Sequence, residues 1–545
     1  LGCKVFHRFE CRPKGGVTAD TNFGCRLEDY FCLSLQVMTM PIHRPDIYDI
    51  MKAAVADGLE IAQQSQSGNK YVRRHYDFPT ISFYDSGFPS FSTKFLTDQG
   101  TPKDYSSIFY AKNPADEFEF RIDPSTIGSW RRFWDLAIHD DRMGKYLEIQ
   151  DSDANGQDIE HHPDYFNHHR VFYIFGAIGR LVDGYIHVHN SFDFDEIKFL
   201  PLYQEWENAI FLDDLEFEIV IPLLCLAVAD DSIRISKNAR IERMDESFQL
   251  ARSRKRSVTA APHELVTGAA THALVLEGWS IQNCTYIYRM RTCGDIRAFA
   301  DLLNIIDIYF ASLRTVSAID TGYAQLIAKP IGWGDHWKAG LPQLYSVSAR
   351  RYPDSLEQFG WLRTPTPLSK ANCEEIGQLA YKLMQTPRLS IAVKRLNAAF
   401  LRQTEEDSIL DVTMALESIL TSDSMTEITH RLAMRVAALC KLDPFEDYDA
   451  ERVFWLCKRI YDYRSAVVHG GKDLEKKRVL QPHKDRYIYA IRTGINLLRH
   501  IIKFMSNNTK YLAHADELDK YLLSGKTDDE SKSQDSTEPA THPGA

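Results

Sequence analysis

The chain has 545 residues, of which 44% are hydrophobic, 26% charged and 12% aromatic. That is ordinary globular usage and excludes a mainly disordered, fibrous or disulfide-scaffold protein. Lys and Arg number 64 against 75 Asp and Glu, a net charge of −11, so indiscriminate coating of nucleic acid is excluded while a local basic surface is not.

At about 150 residues per domain the length predicts two to four domains. Four of the ten cysteines, Cys3, Cys11, Cys25 and Cys32, crowd the start, and no C-x2–4-C pair occurs. The usual zinc spacing is therefore missing. Free thiols in a reducing cytoplasm are expected, with a non-standard metal site as the alternative. No basic, apolar, small-residue leader opens the chain, which predicts a cytoplasmic location.

Asp46–Gln64 predicts a helix, since Ile47, Ile50, Met51, Ala54, Leu59 and Ile61 fall roughly on one side. Trp130–His139 also reads as helical. His161–His169 is dense in histidine but lacks a recognised ligand spacing, and Asp153 and Asp158 make the region acidic. A surface loop is expected there. Arg170–Phe175, Tyr185–Val188 and Glu216–Val220 are β-branched and aromatic and read as strands, punctuated by Gly176, Gly179 and Gly184. The longest apolar run, Ile219–Ala229, has eleven residues including Pro222. A membrane span needs about twenty, so this run reads as a buried strand and no membrane partner is expected. Ser232–Ile241 predicts another strand. Arg252, Arg254, Lys255 and Arg256 form a basic cluster that reads as a mobile surface loop.

Ile331–Arg363 is irregular and rich in Gly and Pro, and Pro365 and Pro367 mark a break. Beyond it Asn372–Gln385, Ile391–Gln403, Ser408–Leu420, Glu427–Cys440, Asp449–His469 and Lys484–Phe504 all carry helical periodicity. Asp423 or Thr426 is placed to cap the fourth, and Asp447 or Asp449 the fifth. The fold class is thus α+β and multidomain. Residues 1–340 form a mixed, partly β-rich region with room for two subdomains. Residues 341–370 connect it to an all-α bundle over 371–523. Residues 524–545 form a tail; Thr527–Ala545 has no large apolar residue and is expected to be disordered.

Chemistry is concentrated in Tyr461-Asp-Tyr-Arg464-Ser-Ala-Val-Val-His469-Gly-Gly. An Arg and a His four to six residues apart is a weak signal, and Arg132/His139, Arg180/His187, Arg256/His263 and Arg478/His483 also fit. Pro or Gly interrupts three of these, and no terminating glycine or buried acid marks Arg132/His139. Arg464 occupies the apolar stripe of its helix, where a guanidinium is costly without a partner. Glu417 falls inside the apolar face of Ser408–Leu420 and is the acid expected to pair with it. A structural ion pair that fixes helix register is the alternative. His469 stands at the helix end, before Gly470-Gly471, where the negative end of the dipole favours imidazolium. Five helical positions are about 140° apart. Arg464 and His469 would therefore converge only if the last turn unwinds or across a dimer axis. No P-loop, dinucleotide fingerprint or G-x-S-x-G occurs.

Three blocks, Asp411-Val-Thr-Met-Ala-Leu-Glu417-Ser-Ile-Leu, Glu427-Ile-Thr-His-Arg-Leu-Ala-Met-Arg-Val-Ala-Ala-Leu and Tyr461-Asp-Tyr-Arg-Ser-Ala-Val-Val-His-Gly, resemble in order and spacing the Apea-like branch of the HEPN superfamily. The resemblance covers about Asn372–Leu523. It implies a helical domain that dimerises and places two R-x4–6-H motifs in one cleft. It further implies a metal-independent endoribonuclease of the kind used in anti-phage defence by abortive infection, with no cofactor. By that resemblance Arg464 and His469 are the catalytic pair, and Glu417 their acidic partner. The position after the Arg is frequently Asn, Asp or His in the family and is Ser465 here. Its hydroxyl can still donate and accept a hydrogen bond to RNA. Lys472, Lys476, Lys477 and Arg478, with Lys484 and Arg486, offer a basic path for phosphates. The expected partners are RNA, with tRNA the substrate that family habit points to, a second copy of the chain, and a phage-derived trigger sensed by the N-terminal region. The alternative is a catalytically silent HEPN module that serves as a scaffold for dimerisation and for partner or RNA binding.

Overall fold

The structure is a computed structural model. It describes residues 41–75, 78–94, 101–109, 122–146, 163–253, 263–334, 339–421, 428–471 and 473–524. Cys3, Cys11, Cys25 and Cys32, Arg254–Arg256, Asp423, Thr426, Lys472 and the tail lie outside the described residues. The protein is mixed α+β. It divides into two compact units, neither continuous in sequence: Leu1–Pro222 with Glu242–Ala300 and Ala324–Arg350, and Leu223–Ile241 with Asp301–Tyr323 and Arg351–Ala545. The helical unit thus takes in two stretches upstream of residue 371. Among the described residues no helix is long and apolar enough to cross a membrane.

In the first unit the expected helix is Pro45–Ser67, with Pro45 in its first turn, where proline's fixed φ is already helical. Ile47, Met51, Ala54, Val55, Leu59 and Ala62 are buried along one stripe. A Cβ at Gly58 would lie 2.6 Å from Val182 Cγ2, so glycine permits the close crossing of this helix with Pro163–His189. That second helix corrects the sequence reading. Arg170–Phe175 and Tyr185–Val188 are not strands but parts of one 27-residue helix. Ile174, Ile178, Leu181, Val182, Tyr185 and Ile186 are buried at the 3.6-residue period. The β-branched residues and three glycines obscured that period. Gly128–Ala137 and Glu196–Phe211 complete the packing around this core.

Glu216–Val220 does lie in a strand, Asp214–Pro222, which pairs antiparallel with His272–Gln282 on one side and Tyr323–Pro330 on the other. The register shifts between Phe217 and Ile219. There Glu277 and Gly278 stand opposite one residue, and Gly278 takes φ +83°, a bulge that glycine accommodates. The long apolar run leaves this strand at Pro222 and resumes as a short strand, Leu226–Val228. Arg252 is a second correction. It ends the short helix Glu246–Ser253 and is 1% exposed. Its guanidinium donates to Gln249 Oε1, to the Thr267, Gly268 and Ala270 carbonyls and to Gln325 Oε1. It is a core clamp, not part of a surface cluster.

In the second unit the six expected helices form, as Lys370–Met384, Ser390–Leu401, Glu405–Leu420, Ile428–Leu442, Ala450–His469 and Ala490–Asn507. The last starts six residues later than predicted, because Val479–His483 and Arg486–Tyr489 pair as a hairpin before it. Leu302–Ser317 packs with them. Its C-terminal carbonyls at Arg314 and Thr315 accept from Arg499 at 2.6 and 2.9 Å, which satisfies groups a helix end leaves open. Arg435, 3% exposed, does the same for the Leu420 carbonyl at 2.5 Å and holds Asp519 with two bonds of 2.9 and 2.7 Å. Asp519→Ala would strand that guanidinium in the interior. The expected loss is about 1–3 kcal/mol, less than for a fully buried pair because Asp519 is partly exposed. Thermal unfolding of the variant measures it.

Candidate active site

Two helices frame the motif. Thr404 Oγ1 caps Glu405–Leu420 by accepting from the Asp407 N–H at 3.1 Å. Asp449 caps Ala450–His469 by accepting from the Arg452 N–H at 2.7 Å. The motif helix buries Val453, Leu456, Cys457, Ile460, Tyr461 and Tyr463. It stays helical through His469 and closes on Gly470 at φ +64°. The Gly471 N–H then returns to the Ala466 carbonyl at 2.9 Å, the six-to-one bond of a Schellman ending. The last turn is therefore not unwound, and within one chain Arg464 and His469 point in different directions.

Arg464 is half-buried on this helix. Its Nε is buried with no hydrogen-bond partner, and no carboxylate stands within ion-pairing distance of it among the described residues. The expected salt bridge to Glu417 is thus replaced by another arrangement. Glu417, also half-buried, is met by the Tyr461 hydroxyl, which donates towards its Oε1 at 3.4 Å and towards the Thr413 carbonyl at 3.4 Å. Burial pushes the Tyr461 phenol far above its usual range, the neighbouring Glu417 pushes it the same way, and Arg464 opposes. Tyr461 stays a neutral donor to Glu417, which makes no ion pair with Arg464. Two residues on, burial and then Glu406 and Glu405 push the Tyr463 phenol up to about 12.

His469 and Ser465 are exposed, and Val468 beside them is 49% exposed. Past the helix end the two arginines are engaged, while Lys476 and Lys484 are exposed. Arg478 makes a two-pronged bond to Glu405 at 2.6 and 2.9 Å and lies over Tyr489. Lys476 pairs with Asp473 at 3.2 Å, and Arg486 with Asp447 at 2.8 Å. Lys477 is half-buried. Among these cations Arg478 and Arg486 serve the fold first. Asp411, in the same block as Glu417, is nearly sealed and is held by Arg395 and Arg402 at 2.7 Å each. It fixes the helix packing and is not open for chemistry.

Sequence reasoning missed one buried constellation in the first unit, His75 with Asp183 and His187. Asp183 and His187 are four apart on a helix, a spacing visible only once that segment is read as helical.

No protein-family model matches the chain, and neither a curated protein nor a solved structure matches it.

The helix end is sensitive to one substitution. Gly470→Ala forces a Cβ into the left-handed region and is expected to cost about 1 kcal/mol. The readout is a lower Tm with the fold otherwise retained.

Proposed function

We propose that the helical unit is a metal-independent endoribonuclease of the HEPN type, working as a dimer. One observation carries this reading: Arg464 is a half-buried guanidinium with an orphaned Nε and no acid to neutralise it. Such a group draws an anion from outside the chain. Its planar fork matches a phosphate. An exposed imidazole stands one turn further on, at a helix end.

RNA carries its own nucleophile, the 2′-hydroxyl. The enzyme has to orient it, move two protons and stabilise charge on phosphorus. In this reading His469 accepts the 2′-hydroxyl proton or protonates the leaving 5′-oxygen, and Arg464 grips the non-bridging oxygens. Tyr461 holds Glu417 away from Arg464 and leaves the fork for the substrate. Ser465 lies on the open side of the motif as a further hydrogen-bonding group. The two key side chains diverge along an unbroken helix, so the working cleft combines Arg464 of one copy with His469 of another. The N-terminal region would then restrain or trigger the nuclease, as anti-phage defence by abortive infection requires, with a tRNA as the RNA cut.

The second reading, a silent scaffold for dimerisation and partner binding, is favoured by the engagement of Arg478 and Arg486 in ion pairs. End-labelled RNA incubated with the purified chain separates the two. The nuclease reading expects 2′,3′-cyclic phosphate and 5′-hydroxyl ends, with the rate lowered about 10²–10⁴-fold in His469→Ala and in Arg464→Ala. In cells, growth arrest on expression should be relieved by His469→Ala. Intact RNA, or cleavage equal in all three proteins, favours the scaffold.

A further inference from the structure

Three side chains meet inside the first unit. His75 directly follows Arg74, which bridges to Lys103. Asp183 and His187 lie one turn apart on Pro163–His189. The His75 and Asp183 side chains are each 3% exposed and His187 is 20%. His75 Nε2 is 3.0 Å from Asp183 Oδ2, and His187 Nε2 is 3.5 Å from Asp183 Oδ1. His187 Nε2 is also 2.8 Å from the Lys103 carbonyl oxygen. One ligand-type atom from each of the three side chains lies within 4.8 Å of the others. Ligands about 2.1 Å from one ion stand about 3.0–3.4 Å from each other in octahedral or tetrahedral arrangements. The triangle needs little movement to become such a shell.

The second observation concerns the far side of His75. Its Nδ1 is buried without a hydrogen-bond partner, and the nearest carboxylate, Asp104 Oδ2, is 3.9 Å away. If Nε2 carries the only proton, as its contact with Asp183 requires, a lone pair on Nδ1 faces a carboxylate. The other tautomer puts the proton on Nδ1, towards Asp104, and leaves a lone pair on Nε2 facing Asp183. That arrangement is favourable only with a cation between them. It is the carboxylate–histidine–metal pattern, in which the outer carboxylate orients the ring. Asp183 is suited to the role. It accepts the Tyr105 and Ala339 N–H groups at 2.9 and 3.0 Å as well.

We infer that His75, Asp183 and His187, with the Lys103 carbonyl, bind one divalent first-row transition cation, with zinc the representative. Two imidazoles and one carboxylate suit zinc better than magnesium or calcium, which prefer all-oxygen shells. The burial of His75 and Asp183 leaves little room for a substrate, so the ion is structural. It fastens the stretches around residues 75 and 103 to the long helix. The site is separate from the proposed nuclease motif and does not depend on it.

The test uses the full chain after chelation, titrated with zinc chloride and separately with cobalt(II). One equivalent should bind, with Tm rising with zinc concentration. The cobalt complex should show d–d bands without a thiolate charge-transfer band. His75→Ala and His187→Ala should weaken binding at least about 100-fold, beyond the 10–100-fold typical of losing an outer-shell partner. If His75→Ala fails to fold, His187→Ala, at the more exposed position, decides the matter with circular dichroism as the control. Absence of stoichiometric binding to the wild type overturns the inference. Undiminished binding in the histidine variants, or a thiolate band that places the ion on cysteines, also overturns it.

Discussion

An arginine without an acid governs how the helical unit can be understood. The guanidiniums around it show the contrast. Arg435 holds Asp519 and a helix-end carbonyl. Arg314, fully buried, is bonded to Asn397 and to the Thr321 carbonyl and lies between the rings of Phe310 and Phe400. Burial lowers its pKa to about 10. Arg499 closes the end of Leu302–Ser317. In each case the cost of removing charge from water is offset inside the chain. The Nε of Arg314 is unmet like that of Arg464, but its two terminal nitrogens are bonded, whereas Arg464 alone among these four has no hydrogen bond to any described residue. In the proposed reading this guanidinium is where a phosphate of the substrate would sit.

The surroundings of Arg464 explain why no internal carboxylate fills that role. Glu417 is near enough to raise the Tyr461 phenol, yet the tyrosine hydroxyl takes the contact. Asp411, one turn and a half earlier on the same helix, is committed to Arg395 and Arg402. Glu405 is committed to Arg478. The nearby acids are thus distributed among the other cations. The Schellman ending has a complementary effect on His469. Holding the helix intact to its last residue turns the imidazole outward, away from Arg464. A single copy thus presents the guanidinium on one side of the helix and the imidazole on another.

Much of the helical unit was legible in the sequence because its helices are amphipathic and divided by Pro, Gly or Asp, and three of them are capped, by Ser369, Thr404 and Asp449. Asp449 and Gly470 mark both ends of the motif helix to the residue. The Pro163–His189 helix was not legible in the same way. Ile174, Val182 and Ile186 favour strands locally, and glycines at 176, 179 and 184 mimic turns. Only packing against Pro45–Ser67 decides for the helix, and that contact is distant in sequence. Arg252 was misread for a related reason. Its neighbours at 254–256 are basic, so composition pointed to solvent, while four of its five acceptors come from segments that meet it only in the folded chain. In the site, residue identities were legible but pairings were not. Glu417 and Arg464 stand on facing stripes, and nothing in their spacing shows that Glu417 would meet the Tyr461 hydroxyl and not the guanidinium.

The charge distribution narrows the way RNA could be recognised in the proposed reading. A net charge of −11 gives no long-range attraction to a polyanion. Arg478 and Arg486 each hold a carboxylate with two bonds, so a phosphate would have to displace an existing partner at both, while the exposed pair of Lys476 with Asp473 adds little either way. What remains is a small number of local contacts centred on Arg464. Half-buried, that guanidinium is less screened by salt than a surface lysine and takes a phosphate in a fixed orientation. Recognition of this kind depends on whether an RNA segment can bring one phosphate into a recess with its 2′-hydroxyl aligned. It selects by shape and exposure of the backbone and not by total charge, which suits a bulged or looped strand better than a regular duplex.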